Sequence, residues 1–335
     1  MAEPLVSIHM ITYNQAPYIG QAIEGVLRQK VDFGVELVIG EDCSTDGTRE
    51  IVLGYQAKYP DSIRVVTSDN NVGARKNSYR VMKACRGKYV AFCEGDDYWH
   101  HPGKLQKQVD YMESHSECGL IYSSYDVYHA NSQKLIRNFI KYRKWEMPKK
   151  AAISDIIGNE NGISYGILTC TIMVRRALYE QVIESDWYLH QSGHFLMGDI
   201  QVWAEISTLG DVGFIPESLA THNIMDESAS RTKDRKRQLR FSASCAELTL
   251  YLGNKYNFPL SMRTKLESDW HDSLLRLAFY TRDRKLAGEV RRESKALTTR
   301  EWLLYYGAKN AVLHYPLRAA AFGLRLVGRD RDRWM

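Results

Sequence analysis

The chain has 335 residues and a mass of 38.6 kDa, with 44% hydrophobic and 25% charged residues and a mean hydropathy of −0.40. These values exclude a disordered chain, a collagen-like repeat and a disulfide-stapled miniprotein, and the length suits two folding units or one large α/β unit with an appendage. The net charge of +5 conceals an asymmetry: residues 1–230 carry 22 Lys and Arg against 29 Asp and Glu, whereas residues 231–335 carry 23 against 11. An acidic front suits metal and sugar; a basic tail suits an anionic surface. Six cysteines, at 43, 85, 93, 118, 170 and 245, form no CxxC pair and no Cys/His cluster at zinc spacing, so they read as reduced core thiols. The opening MAEPLVSIHMITYN lacks the basic and then apolar pattern of a secretory leader, and apolar runs such as ILTCTIMV fall short of a membrane span. The cytosol is the expected compartment.

In chain order, Val6 to Thr12 reads as a strand buried on both faces. Ile19, Ile23, Val26 and Leu27 then recur at helical spacing, with Pro17 in the first turn where it is tolerated. Glu36 to Gly40 predicts a second strand leading into the polar cluster EDCSTDGT, where Asp46 is placed to cap a helix beginning at Gly47. Ile63 to Thr67 predicts a third strand before the turn NNVG, and Tyr89 to Cys93 a fourth before EGDDYW. Strand and helix alternating at this pitch argue for parallel βαβ units, whose ligands sit beyond the carboxyl ends of the strands. Three polar clusters fall at such ends: Thr12 to Asn14, Glu41 to Asp46, and Glu94 to Asp97.

The ordered set ITYN, GEDCSTDGT, NNVG, GKYVAFCEGDDYW, and GD within LMGDIQVWAEISTLGDVGFIPE resembles the family-2 glycosyltransferases of GT-A fold, over roughly residues 5 to 230. The resemblance implies an α/β fold with a mostly parallel sheet. It places a catalytic domain over 1–230, with a nucleotide-sugar half to about 100 and an acceptor half after it. It implies transfer with inversion from a nucleotide sugar, a UDP-sugar by preference, to a saccharide or lipid-linked hydroxyl, aided by Mn²⁺ or Mg²⁺. A diphosphate that leaves with growing negative charge needs a cation held by carboxylates. Asp97 matches the metal position and Asp96 a ribose or metal contact, with Glu94 where Asp is common. Thr12, Tyr13 and Asn14 match the segment that contacts the base, and Glu41 or Asp42 the acid that accepts from a base N–H. Arg75 is a diphosphate partner. Asp199 matches the catalytic base, whose contribution is typically 10²- to 10⁴-fold, and is also placed to cap the helix through Trp203. Asp211 reads as a turn residue. His222 is a candidate late metal ligand, and with Asn223 it stands where many relatives have Tyr-Arg. Thr169, Thr171 and Trp203 are assigned to the acceptor side, and Thr169 to a strand-like run.

The remaining histidines carry less chemistry: His100 and His101 precede a helix start at Pro102, and His9 belongs to the core. No QxxRW follows Asp199, so one sugar per acceptor is expected rather than a polymer. A binding protein of the same fold without turnover would not need Asp199. A nucleotidyltransferase would carry a Gly-rich loop after the first strand, and ITYNQAPYIG is not one.

The stretches KYRKWEMPKK and GNENGISYG read as a loop, a candidate lid or acceptor wall. Residues 231–335 read as a basic helical region, with helices over 235–252 and 263–280. After Pro316, Leu317, Ala320, Ala321, Leu324 and Val327 form one stripe, and Arg318, Arg325 and Arg329 another. That stripe either meets an anionic membrane or packs on protein, including a second subunit. Nucleic acid is not an expected partner, because the tail's cations alternate with acids.

Overall fold

The computed structural model describes residues 3–145, 152–157, 167–225, 232–294 and 296–326, with side chains as far as 319. Half of KYRKWEMPKK (residues 146–150), all of GNENGISYG and the end from Val327, with Arg329, lie outside the described residues. So do the side chains of Ala320, Ala321, Leu324 and Arg325. The chain divides into two compact units, one of Met1–His194 with Gly198–Asp226, the other of Phe195–Met197 with Glu227–Met335.

The first unit runs β1 (Val6–Thr12), α1 (Ala16–Leu27), β2 (Val35–Glu41), α2 (Thr48–Lys58), β3 (Ile63–Val66), α3 (Ala74–Ala84), β4 (Tyr89–Phe92), β5 (Tyr98–Trp99), α4 (Lys104–Ser114) and β6 (Cys118–His129). It continues through β7 (Lys134–Ile136), α5 (Phe139–Tyr142), α6 (Ile153–Ile157), a 3-10 turn (Thr169–Thr171), β8 (Met173–Arg175), α7 (Arg176–Ser185), α8 (Trp187–His190), α9 (Ile200–Leu209) and β9 (Asp211–Ile224). The nine strands form one sheet in the order β3-β2-β1-β4-β8-β6-β9-β5, with β7 paired to β6. Neighbours β3, β2, β1 and β4 are parallel, as are β6 and β9. β8 runs antiparallel to both β4 and β6, so β6 and β9 point the same way as the first four strands. Six carboxyl ends therefore share one edge, and the polar clusters of β1, β2 and β4 lie along it.

Both faces of β1 are buried. Val6, Ile8 and Met10 occupy one, and Ser7 and His9 the other. Ser7 Oγ donates to Glu36 at 2.6 Å, and Arg86 pairs with the same carboxylate at 2.7 Å. The His9 ring packs on Phe92 at 5.1 Å, and Phe92 meets Tyr179 of α7 at 5.3 Å and Trp203 of α9 at 4.9 Å. Trp203 is thus a core residue, 2% exposed. This corrects its assignment to the acceptor side, because the large apolar ring is spent on fastening α9 to the sheet; truncating such a ring typically costs about 3–5 kcal/mol. Thr171 is fully buried with its hydroxyl donated to Leu168 O, which removes it from acceptor contact as well. The expected strand at Thr169 is instead the 3-10 turn.

The second unit contains α10 (Arg235–Lys255), α11 (Leu260–Thr281), α12 (Arg284–Glu293), α13 (Thr299–Lys309) and α14 (Ala311–Leu326). Asp234 caps α10, and Thr298 with Glu301 forms a capping box on α13. Phe195 packs on Tyr251 at 5.5 Å, and Leu196 N donates to Ser244 Oγ at 2.9 Å, which ties the 195–197 segment to α10. Leu275, Ala278, Ala287, Val290 and Ala308 form the unit's own core. Among the described residues no helix is long and apolar enough to cross a membrane.

Candidate active site

The loops after β1 and β2 lace together. Asn14, at φ 51°, accepts from Thr45 N at 2.9 Å and its own N–H donates to Ser44 Oγ at 3.0 Å. Asp46 accepts from Ala16 N and Thr48 N, each at 3.0 Å, and from Thr48 Oγ1 at 2.6 Å. One carboxylate therefore satisfies free amides at the starts of both α1 and α2. Partial burial pushes its pKa up, but the bonds from Thr48 and Ala16 outweigh this and hold it below the ordinary value. Gly47, at φ 95°, supplies the left-handed turn just before α2, which begins at Thr48.

Glu41 and Asp42 have separate duties. Glu41, fully buried, accepts from Ser44 N at 2.6 Å and from Arg49 Nε at 2.5 Å. Burial pushes its carboxyl up, and the bonds from Ser44 and Arg49 bring it below the ordinary value. Asp42 accepts from Val72 N and Gly73 N, both at 2.9 Å, and so fixes the NNVG turn beside the end of β2. Thr12 is buried, whereas the Tyr13 ring is 46% exposed on the same edge.

The acidic turn follows β4. Gly95 lies so close to β1 that a Cβ there would stand 2.5 Å from Gln15 Oε1 and 2.9 Å from Thr12 Oγ1. Asp97 is 2% exposed, and its Oδ1 accepts from Asn223 N at 2.9 Å. His222 Nδ1 lies 3.0 Å and 3.1 Å from its two oxygens. Asn223 Nδ2 donates to Asp96 O at 2.5 Å, so the end of β9 grips the turn twice. Asp97, the expected metal ligand, is thus turned inward and already engaged. The partly exposed groups are Glu94, Asp96 and the His222 ring, whose side chain is 33% exposed. Burial and the Asp97 charge push the Asp96 carboxyl up to about 6. Burial and the charges of Asp97, Asp96 and Asp199 push Glu94 well above the carboxylate range.

Among the described residues no three His, Cys, Asp or Glu side chains are arranged to hold a metal ion. The donor set nonetheless fits a divalent cation of the kind that takes one or two carboxylates from protein and the rest of its shell from phosphate oxygens and water. Repelling carboxylates crowd one turn, and a ring nitrogen stands at its margin.

Asp199 stands at the start of α9. Its Oδ1 accepts from Ile200 N at 2.8 Å and its Oδ2 from Thr169 Oγ1 at 3.0 Å. Arg75, at the start of α3, donates to His190 O at 2.7 Å; burial lowers its pKa, while the nearby Asp199 charge raises it. His190 Nε2 lies 2.6 Å from Glu205 Oε2, both side chains being buried. The pair clamps α8 to α9 and so sets the carbonyl that holds Arg75. Neither His190 nor Glu205 has a sequence signal, because fifteen residues separate partners that meet only after α9 docks on the sheet. Thr169, expected on the acceptor side, orients Asp199. Asp211 begins β9 rather than ending a turn.

Residues 7–182 match the model of glycosyl transferase family 2. An uncharacterized protein of Mycobacterium tuberculosis is 30% identical over 235 residues, 65% of this chain and 58% of that protein, so the match spans less than two thirds of the relative's length. The Escherichia coli UDP-Glc:alpha-D-GlcNAc-diphosphoundecaprenol beta-1,3-glucosyltransferase WfgD is 28% identical over 241 residues, 71% of this chain and 85% of WfgD. Among solved structures, S. aureus TarS 1-349 in complex with UDP-GlcNAc aligns over 97% of this chain and 93% of its own, with a TM-score of 0.56 and 17% identity. The shared architecture is the GT-A fold that the motifs implied. The chain belongs to glycosyl transferase family 2.

Proposed function

We propose that the protein is an inverting, cation-dependent glycosyltransferase. It moves one hexosyl or N-acetylhexosaminyl group from a nucleotide sugar to a hydroxyl of a saccharide or lipid-linked saccharide, in surface-polysaccharide or glycolipid assembly. The observation that carries the reading is Asp199 at the start of α9, a carboxylate whose Oδ2 is held by Thr169 Oγ1 at 3.0 Å and whose charge reaches Arg75 and Glu94. A site that only held a nucleotide sugar would have no use for an oriented base there.

The roles follow from the groups. Tyr13 offers a ring face to a nucleobase, and Thr12, Asn14 and Asp42 shape the turn around it. Arg75 offers a guanidinium to the diphosphate. Asp96, Asp97 and His222 would hold Mn²⁺ or Mg²⁺, which when bound offsets charge growing on the leaving diphosphate. Asp199 takes the proton from the acceptor oxygen as that oxygen attacks the anomeric carbon from the face opposite the diphosphate, and the Thr169 bond keeps the carboxylate aimed. WfgD uses UDP-Glc, which makes UDP-sugars the first donors to test.

The test is release of nucleoside diphosphate from a panel of nucleotide sugars with Mn²⁺ or with a chelator. Release from one donor that stops on chelation is expected. Binding of that donor with no release in the presence of saccharide and lipid-linked acceptors would overturn the catalytic reading.

A further inference from the structure

Exposed apolar side chains gather on α13 and the described part of α14. Leu303, Tyr306, Val312, Leu313 and Tyr315 are 44–78% exposed, and these five are among only eleven large hydrophobics so exposed in all the described residues. Leu303 with Tyr306, and Val312 with Tyr315, are three apart, so each pair shares a helix face. The other faces are spent inside the unit. Leu304 and Tyr305 pack on its core, and His314 is buried against Phe279 at 4.7 Å. A Cβ on Gly307 would stand 3.2 Å from Leu317 Cδ1, so Leu317 packs against α13. Leu317, which the sequence offered to a membrane, is thus turned to protein, and a different face is open.

The exposed charges on that segment have one sign. Over residues 299–319 the charged side chains are Arg300, Glu301, Lys309 and Arg318. Glu301 is buried and committed to the capping box, whereas the three cations are exposed. Arg318 lies over the Tyr280 ring at 5.1 Å and Lys309 over Tyr305 at 5.2 Å, so the cations are held beside aromatic surface. Aliphatic and tyrosine tips need an apolar partner and the cations an anionic one; the headgroup layer of an anionic bilayer supplies both at one depth. A second copy docking face to face would bring the same cations against one another.

We propose that α13 and α14 form a docking surface for the anionic face of a lipid bilayer. Binding needs no nucleotide sugar, so it stands or falls apart from the reading of the active site.

The experiment is co-sedimentation of the full chain with phosphatidylcholine vesicles, with and without phosphatidylglycerol. Partitioning onto the anionic vesicles should exceed that onto neutral ones by roughly tenfold or more and weaken with salt. Val312→Ser with Tyr315→Ser should lower it by a similar factor, and Lys309→Gln with Arg318→Gln should remove the preference for phosphatidylglycerol. These positions are exposed, so melting temperature and nucleotide binding should not change. Equal partitioning onto both vesicles, or undiminished binding by both double variants, would overturn the proposal. So would a dimer in sedimentation velocity that Val312→Ser with Tyr315→Ser dissociates, because a second copy would then own the face.

Discussion

Replacing Asp199 by Asn removes a charge and keeps a shape. The native carboxylate accepts from Ile200 N at 2.8 Å and from Thr169 Oγ1 at 3.0 Å. Asn caps helices about as well as Asp, and its single oxygen can keep one of these bonds, so the loss of stability should stay near or under about 1 kcal/mol. What disappears is the proton acceptor. A general base is worth typically 10²- to 10⁴-fold, which is about 2.7–5.4 kcal/mol of barrier. Arg75, freed of a neighbouring negative charge, remains available to the diphosphate, so donor affinity should hold or tighten slightly. The assay pairs the rate of nucleoside diphosphate release at saturating donor with the dissociation constant of the donor by titration. We expect turnover to fall by about a hundredfold or more with affinity within about threefold of wild type. Turnover within about tenfold of wild type would refute the assignment of the base. A parallel collapse of affinity at an unchanged melting temperature would make Asp199 a binding group instead.

Three further outcomes test the surroundings. Burial pushes His9 down to about 4, whereas an unfolded histidine titrates near 6.5. The unfolded chain therefore binds more protons between those values, and stability, full above pH 6.5, should fall by up to about 3 kcal/mol as pH drops towards 4. Urea unfolding at pH 7 and 4.5 checks this, and a His9→Gln variant with the same pH slope would assign the effect to another group. Gly95→Ala forces a methyl against Thr12 and Ile19, which core packing holds in place; the expected loss is about 1–3 kcal/mol with weaker nucleotide binding, and unchanged values for both would show that the acidic turn can move. Asp42→Ala leaves the Val72 and Gly73 amides without their acceptor, about 1–3 kcal/mol for each that stays dry; a urea midpoint equal to wild type would mean that water replaces the carboxylate.

The sequence displayed what is local and periodic. β1 is observed over Val6–Thr12 as expected, because a strand buried on both faces leaves an unbroken apolar run. Glycines and short polar residues marked the turns at Asp46 and NNVG. Long-range geometry left no such trace. The stretch Met173–Arg175 gives no local hint that it will enter the sheet antiparallel between β4 and β6. Trp203 lies next to a polar helix start in sequence, yet its ring is claimed by Phe92, more than 100 residues away. The motifs named Asp96 and Asp97 together, and only the crossing of β9 through His222 and Asn223 decides which of them is turned inward. The same holds for α14, where spacing left open whether Leu317 meets a membrane or protein, and its packing on Gly307 turns it to protein.

The most direct test of the site is the affinity of UDP measured by titration calorimetry with Mn²⁺ and with a chelator, for wild type and for Asp96→Asn combined with Asp97→Asn. Mn²⁺ should tighten UDP binding to the wild type by about tenfold or more, and this gain should vanish in the double variant while the fold melts normally. UDP affinity that is the same with and without the cation, or a full Mn²⁺ gain in the variant, would contradict that reading of the site.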